Sequence, residues 1–159
     1  MFNLILDKDS RVFWDGARKN KLMIQKCKDT GICFLYSRSH SKVSADSEYE
    51  WIEASGKGSV YSFTISHIPG GSKYYLDKTP YVIGSILLEE GVRITSNIIT
   101  NNFNDIQIGC KVLVEYVKLD QSITFPCLSF STLTLLSATH SISVEIKFAT
   151  TVSNFFFTL

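Results

Sequence analysis

Through the middle of this chain, hydrophobic and polar positions alternate with the two-residue period of half-buried strands. Residues 59–67 set Val60, Tyr61, Phe63 and Ile65 among small polar residues. Residues 81–89 and 92–100 repeat the pattern, and Glu89-Glu90-Gly91 between them predicts a hairpin. Residues 111–119 predict a further strand, approached through 101–109, and Ile123-Thr124-Phe125-Pro126 a short closing strand. Upstream, residues 22–27 and 50–54 read as strands, and Ser55-Gly56-Lys57-Gly58 reads as a turn. One segment breaks the period. Phe13, Trp14 and Ala17 fall at i, i+1 and i+4, which predicts a short helix from an N-cap at Ser10 to about Asn20. The expected class is mainly β: a helix, an insert, and five short strands in a small Greek-key barrel of OB type. Periodicity alone does not separate this from another small barrel or a sandwich.

The insert, residues 28–48, is rich in Ser and Lys and has no period. It opens on Cys27-Lys28-Asp29-Thr30-Gly31 and closes on Ser41-Lys42-Val43-Ser44, where a rubredoxin-like zinc ribbon would carry two Cys-x-x-Cys pairs. Structural zinc takes four thiolate or imidazole ligands, and Cys27, Thr30, Ser41 and Ser44 offer one. Cys33 and His40 stand nearby, yet with Cys27 they make three donors without a standard spacing. A metal-free ribbon is expected.

Three segments follow: residues 1–48 as helix and degenerate ribbon, 49–127 as barrel, and 128–159 as a tail. Residues 69–80 form a long loop bounded by prolines. The tail carries only Glu145 and Lys147 as charges, alternates strictly over 141–148, and ends in Phe155-Phe156-Phe157 before Thr158. It reads as extra strands or a low-charge segment that pairs with sheet edges.

A hydrophobic content of 45% is enough for a packed core, which excludes global disorder. The formal net charge of +1, with mixed signs, argues against a dedicated polyanion binder, which clusters its cations. No apolar run approaches the roughly 20 residues of a membrane span. No basic segment followed by an apolar one opens the chain, so a cytoplasmic place is expected. There Cys27, Cys33, Cys110 and Cys127 would remain thiols.

Five pieces of the chain stand together in a recognisable order. They are FWDGARKNKLMIQKCKDTG (13–31), EWIEASGKGSVYSFTISH (50–67), TPYVIGSILLEEGVRITSNI (79–98), IQIGCKVLVEY (106–116) and ITFP (123–126). Over roughly residues 10–127 the chain resembles the acyl-CoA-associated family known as domain of unknown function 35. Its members join an N-terminal helix and a zinc ribbon to an OB barrel. Zinc-bearing relatives place cysteines where this chain has Cys27, Thr30, Ser41 and Ser44. A branch without most of these ligands looks closest. The family pattern ends soon after Pro126, so the tail is either a lineage extension or the product of a shifted reading frame.

The resemblance implies a place in lipid metabolism as a non-catalytic accessory subunit. Such a protein docks on a thiolase-like or related acyl-CoA enzyme, in a hetero-complex or with further copies of itself, and helps bind or channel the acyl-CoA. Tyr61, Phe63 and Tyr81 would wall a pantetheine arm, a narrow and mostly apolar group. His67 and Asn97 would bond its oxygens or amides, and Arg93 or Lys73 would meet a phosphate. Each has a plainer role: a turn histidine, an outward polar residue, solvated cations. Phe13 and Trp14 are either docking anchors or core contacts of the helix. Gly56 and Gly58 serve backbone geometry, since no P-loop spacing follows.

Catalytic patterns are sparse. Glu89-Glu90 is a carboxylate pair on a turn, no Gly-x-Ser-x-Gly elbow occurs, and no cue activates Cys27, Cys110 or Cys127. Catalysis by the chain itself is not expected, and acyl-CoA is the one small ligand implied. Two rival functions remain: a single-stranded nucleic-acid binder that stacks bases on Tyr61, Phe63 and Tyr81, and a stand-alone acyl-CoA binder or hydratase.

Overall fold

A computed structural model describes residues 7–37, 48–69, 78–118 and 124–130 of the 159. The N-terminal helix α1 runs over Arg11–Arg18 and buries Phe13, Trp14, Gly16 and Ala17 on one face. The Ser10 side chain makes no capping bond to the helix. Its hydroxyl and backbone N–H donate to Asp7 instead, and these bonds hold the Asp7 carboxyl below the usual carboxylate range.

Three short strands follow: β1 (Met23–Cys27), β2 (Cys33–Phe34) and β3 (Tyr49–Glu53). They form an antiparallel sheet in the order β2-β1-β3, with β1 and β3 paired from Met23↔Glu53 to Cys27↔Tyr49. The strand beginning at Tyr49 therefore pairs within the N-terminal unit, although the sequence division groups residue 49 onward with the barrel. Ion pairs of Lys21 with Glu53 (2.6 Å) and Lys28 with Glu48 (2.7 Å) flank the same sheet.

The barrel is built from β4 (Lys57–Ser66), β5 (Tyr81–Leu88), β6 (Arg93–Ile99), β7 (Lys111–Lys118) and β8 (Thr124–Phe130). It closes in the order β4-β5-β6-β8-β7. All pairings are antiparallel except β6 with β8, where Ile98 faces Leu128 and Ile99 faces Ser129. Closure rests on short pairings, Lys57–Ser59 of β4 with β7 and Ile98–Ile99 of β6 with β8, and reduces the unpaired backbone that an open sheet would leave. Phe103–Asp105 makes a single 3-10 turn before β7.

Within β4 the strand alternation is broken at Tyr61, and the register explains it. β4 pairs Val60 with Ile86 and Ser62 with Ser85, so Tyr61 is an extra residue at a bulge. Val60 faces the core before the bulge, while Phe63 and Ile65 pack against it afterwards. This is why two apolar residues stand side by side at 60 and 61.

The helix and the barrel share one core. Phe13 and Trp14 are each only 8% exposed, and the Trp14 ring packs edge-on to Phe125 of β8 at 5.1 Å. They are core contacts. The docking role weighed for them in the sequence fails because an amphipathic helix buries its apolar face against the nearest apolar surface. β8 is buried on both faces over Thr124–Leu128, so it reads as a continuous run, and it extends to Phe130 beyond the predicted ITFP segment. Its buried neighbour Ser96 satisfies its hydroxyl by donating to the Pro126 carbonyl at 2.5 Å. Among the described residues no helix is long and apolar enough to cross a membrane.

Candidate functional site

Register decides which side chains share the barrel's outer surface. One transverse row runs Arg93 (β6), Leu87 (β5), Ser59 (β4) and Lys111 (β7). The next row places Lys57 of β4 beside Leu113 of β7 and Ser129 of β8. On the other side of the first row lies the bulged Tyr61. The alternating partners Val60, Ile86, Leu88, Ile94 and Val112 are buried, so the residues named here point outward.

The Arg93 guanidinium lies 4.9 Å from the centroid of the Tyr61 ring, reaching across β5 to do so. Cation–π attraction of this kind holds a long side chain in place on an exposed surface. Tyr61 remains 52% exposed, Leu87 38% and Leu113 42%. The face is thus partly apolar, with its aromatic ring carried by a bulge and capped by a cation.

The structure divides the residues singled out in the sequence. Tyr61 and Arg93 come together. Asn97 lies on the outer side of β6, in register with Ile83. Phe63 lies on the inner side, packed against the core. His67 is exposed just past the end of β4, and Tyr81 is buried at the start of β5 opposite Ser66. Phe63 and the exposed Tyr61 thus lie on opposite sides of the barrel wall, with the bulge between them. Lys73 lies outside the described residues.

Sequence reading took Glu89-Glu90 as a carboxylate pair on a solvated turn. The turn between β5 and β6 is not a simple solvated carboxylate pair. Glu89 is exposed, while a Glu90 oxygen accepts the Ser55 backbone N–H at 2.6 Å. The other Glu90 oxygen is enclosed without a partner among the described residues. Nothing in the alternation signals this contact, which joins residues 35 apart.

Of the positions compared with a zinc ribbon, Cys27 is fully buried and Thr30 is exposed, with its hydroxyl accepting the Ile32 N–H at 3.3 Å. His40, Ser41 and Ser44 lie outside the described residues, as do Cys-free residues 131–159 of the tail with its alternating 141–148 stretch. The four positions supply one thiol and three hydroxyls, where structural zinc takes four thiolate or imidazole ligands. Among the described residues no three His, Cys, Asp or Glu side chains are gathered as metal ligands.

Two of the thiols are pushed above their ordinary values. Burial pushes the Cys127 thiol up to about 12, with Glu115 adding to the effect. Burial raises Cys33 too, Lys26 opposing and Glu90 adding. A thiol held protonated is a poor nucleophile.

Known proteins place this arrangement. The family model described as "ChsH2, C-terminal OB-fold domain" matches residues 51–117. A DUF35 domain-containing scaffold protein of Methanocaldococcus jannaschii is 39% identical over 111 residues, covering 69% of this chain and 77% of that one. A probable enoyl-CoA hydratase alpha subunit of Thermomonospora curvata is 26% identical over 128 residues, which is 76% of this chain. This chain spans only 37% of that subunit's length. Among solved structures, a chain of the Ltp2-ChsH2(DUF35) aldolase superposes with a TM-score of 0.72 at 23% identity, covering 80% of this chain and 98% of that one. That likeness is one of fold, and it agrees with the helix, sheet and closed barrel above. On the strength of the shared sequence across most of the scaffold protein, the chain belongs to the DUF35 family.

Proposed function

We propose that this chain is a non-catalytic accessory subunit that docks on an acyl-CoA enzyme and helps bind or channel its acyl-CoA. The observation that carries the reading is the kinship with a DUF35 scaffold protein over three quarters of that protein's length. The names of other relatives point the same way, one as an aldolase assembly and one as a hydratase subunit. The residues support a binding role over a chemical one. Among the described residues His67 is exposed at a strand end, Cys127 is buried with its thiol pushed up to about 12, and Tyr61 and Arg93 converge on the surface. Tyrosine and arginine are interface-forming types.

A thiolase-like partner, an aldolase and a hydratase are all acyl-CoA enzymes, and the test distinguishes them. A cytoplasmic, zinc-free protein is part of the same proposal. The full chain is captured from its native cell, and co-purifying proteins are identified by mass spectrometry. An acyl-CoA enzyme in near-stoichiometric amount is expected. The isolated chain should bind CoA esters weakly and turn none over. Turnover by the isolated chain, or capture of no acyl-CoA enzyme, overturns the reading.

A further inference from the structure

We propose that residues 141–148 of the tail add as a strand along the open edge of β4 at Ser62–Ser66, so that the chain itself covers an edge its barrel leaves unpaired. This covering role is independent of the accessory reading.

β4 has a neighbour on both sides over its first part. Lys57–Ser59 pair with β7, and Val60 makes the last bonds on that side. Its N–H donates to the Cys110 carbonyl at 2.9 Å, and its carbonyl accepts the Gly109 N–H at 2.8 Å. Past the bulge, Ser62–Ser66 pair with β5 and with no other described strand. Successive residues of a strand present their backbone groups to opposite sides, so half of these groups face away from β5. Native edges of this kind are usually guarded by charge or proline. Other incompletely paired strands follow that rule: β3 carries Glu50 and Glu53, the second half of β7 carries Glu115 and Lys118, and β6 opens on Arg93. Ser62–Ser66 carries neither guard.

The side chains along the edge define the strand that fits it. Phe63 and Ile65 pack against the core yet stay partly exposed, and the β5 partner of Phe63 is Gly84, which has no side chain to cover it. Ser62 and Thr64 are exposed on the outer side. An added strand must therefore bring apolar side chains to the inner side and polar ones to the outer. Residues 141–148 carry that division, with Ile142, Val144, Ile146 and Phe148 alternating with Ser141, Ser143, Glu145 and Lys147. The tail also leaves the barrel within reach. Phe130 pairs with Val112, and Val112 pairs with Gly58, so Phe130 stands two strand spacings, about 10 Å, from β4. Ser62 lies about 13 Å further along that strand. Residues 131–140 can span up to about 33 Å, enough for either direction of approach.

The test is amide hydrogen exchange of the full chain, read residue by residue by NMR at two protein concentrations. Alternate amides of Ser62–Ser66 and of residues 141–148 are expected to exchange slowly, and equally so after dilution. A double variant, Val144→Pro with Glu145→Pro, removes an N–H from each side of the added strand. Both stretches should then exchange at least about tenfold faster, while the amides of β5 and β6 stay protected and show that the barrel folds. Cross-strand nuclear Overhauser contacts between the two stretches are expected in the wild type, a measurement that needs no variant. Residues 141–148 exchanging like an unfolded chain, or the absence of those contacts, overturns the proposal. So does a variant that leaves Ser62–Ser66 unchanged or deprotects β3 instead. Protection that falls on dilution also overturns it, because the segment then pairs with another molecule.

Discussion

The backbone N–H of Ser55 donates to a Glu90 carboxylate oxygen at 2.6 Å, tying the segment between β3 and β4 to the β5–β6 turn. Glu90 also lies close enough to the first sheet to help raise the Cys33 thiol. This side chain adds a polar tie between the N-terminal unit and the barrel to their shared apolar core. Glu90→Ala leaves the Ser55 donor without this acceptor and should cost about 1–3 kcal/mol. Glu90→Gln keeps a carbonyl oxygen in place and should retain most of the stability. Urea unfolding of both variants is the measurement, and equal losses would remove the hydrogen bond from the account.

Tyr61 and Arg93 make a contact of a different kind, on the surface and across a strand. A double-mutant cycle with Tyr61→Leu and Arg93→Met should give a coupling of about 0.5–1 kcal/mol. A coupling well above that range would make the pair a determinant of the fold instead of an ordered surface.

The turn glycines act in two ways. Gly56 has φ 72°, a left-handed conformation that side chains rarely adopt. Gly58 is a matter of space: a Cβ there would lie 2.7 Å from the Leu87 carbonyl oxygen and 2.8 Å from an Ile86 methyl carbon. Gly58→Ala must push β4 from β5 and should cost about 1–3 kcal/mol. A thermal melt within error of the wild type would contradict this approach of the two strands.

Alkaline pH should weaken the fold. Burial pushes both Cys127 and Tyr116 up to about 12, from ordinary values of 9.0 and 10.0. Their folded forms keep the proton after the unfolded chain has lost it, so stability falls as pH rises. The Cys127 contribution is fully present below about pH 9 and is lost toward about pH 12, at up to about 1.4 kcal/mol per pH unit. Tyr116 is half-buried, and solvent screening reduces its share. Urea midpoints between pH 8 and pH 11 should drop steadily, and Cys127→Ala should flatten the first part of that fall. A midpoint independent of pH across this range would contradict the burial of both groups.

Metal analysis of the purified chain should find zinc well below one ion per molecule, and a chelator should leave the melting temperature unchanged. Cys27 is the one thiol among the four positions where a zinc ribbon would carry cysteines, and a tetrahedral zinc site takes four thiolate or imidazole ligands. Zinc near one per chain would require other donors and would contradict the proposal.

Much of the fold was legible locally. Alternation marked the barrel strands, Glu89-Glu90-Gly91 marked the β5–β6 turn, and the spacing of Phe13, Trp14 and Ala17 marked the helix. Partnership was not. Residues 50–54 carry a clear strand pattern, yet nothing in it says that β3 pairs with β1 and not with a barrel strand. The adjacency of Val60 and Tyr61 was visible, but its meaning as a bulge depends on the spacing of the partners Ile86 and Ser85.

By itself the sequence determined the period of each strand, the apolar face of the helix, the surviving Cys27 and the family pattern. Each is a property of neighbours in the chain, set by side-chain spacing against a repeating backbone. Only the tertiary structure decided that Phe63 turns inward while Tyr61 turns outward to meet Arg93, and that Lys57, Leu87, Lys111 and Leu113 share one face. Those relations depend on register between segments tens of residues apart. A shift of one residue would send every one of these side chains to the opposite surface.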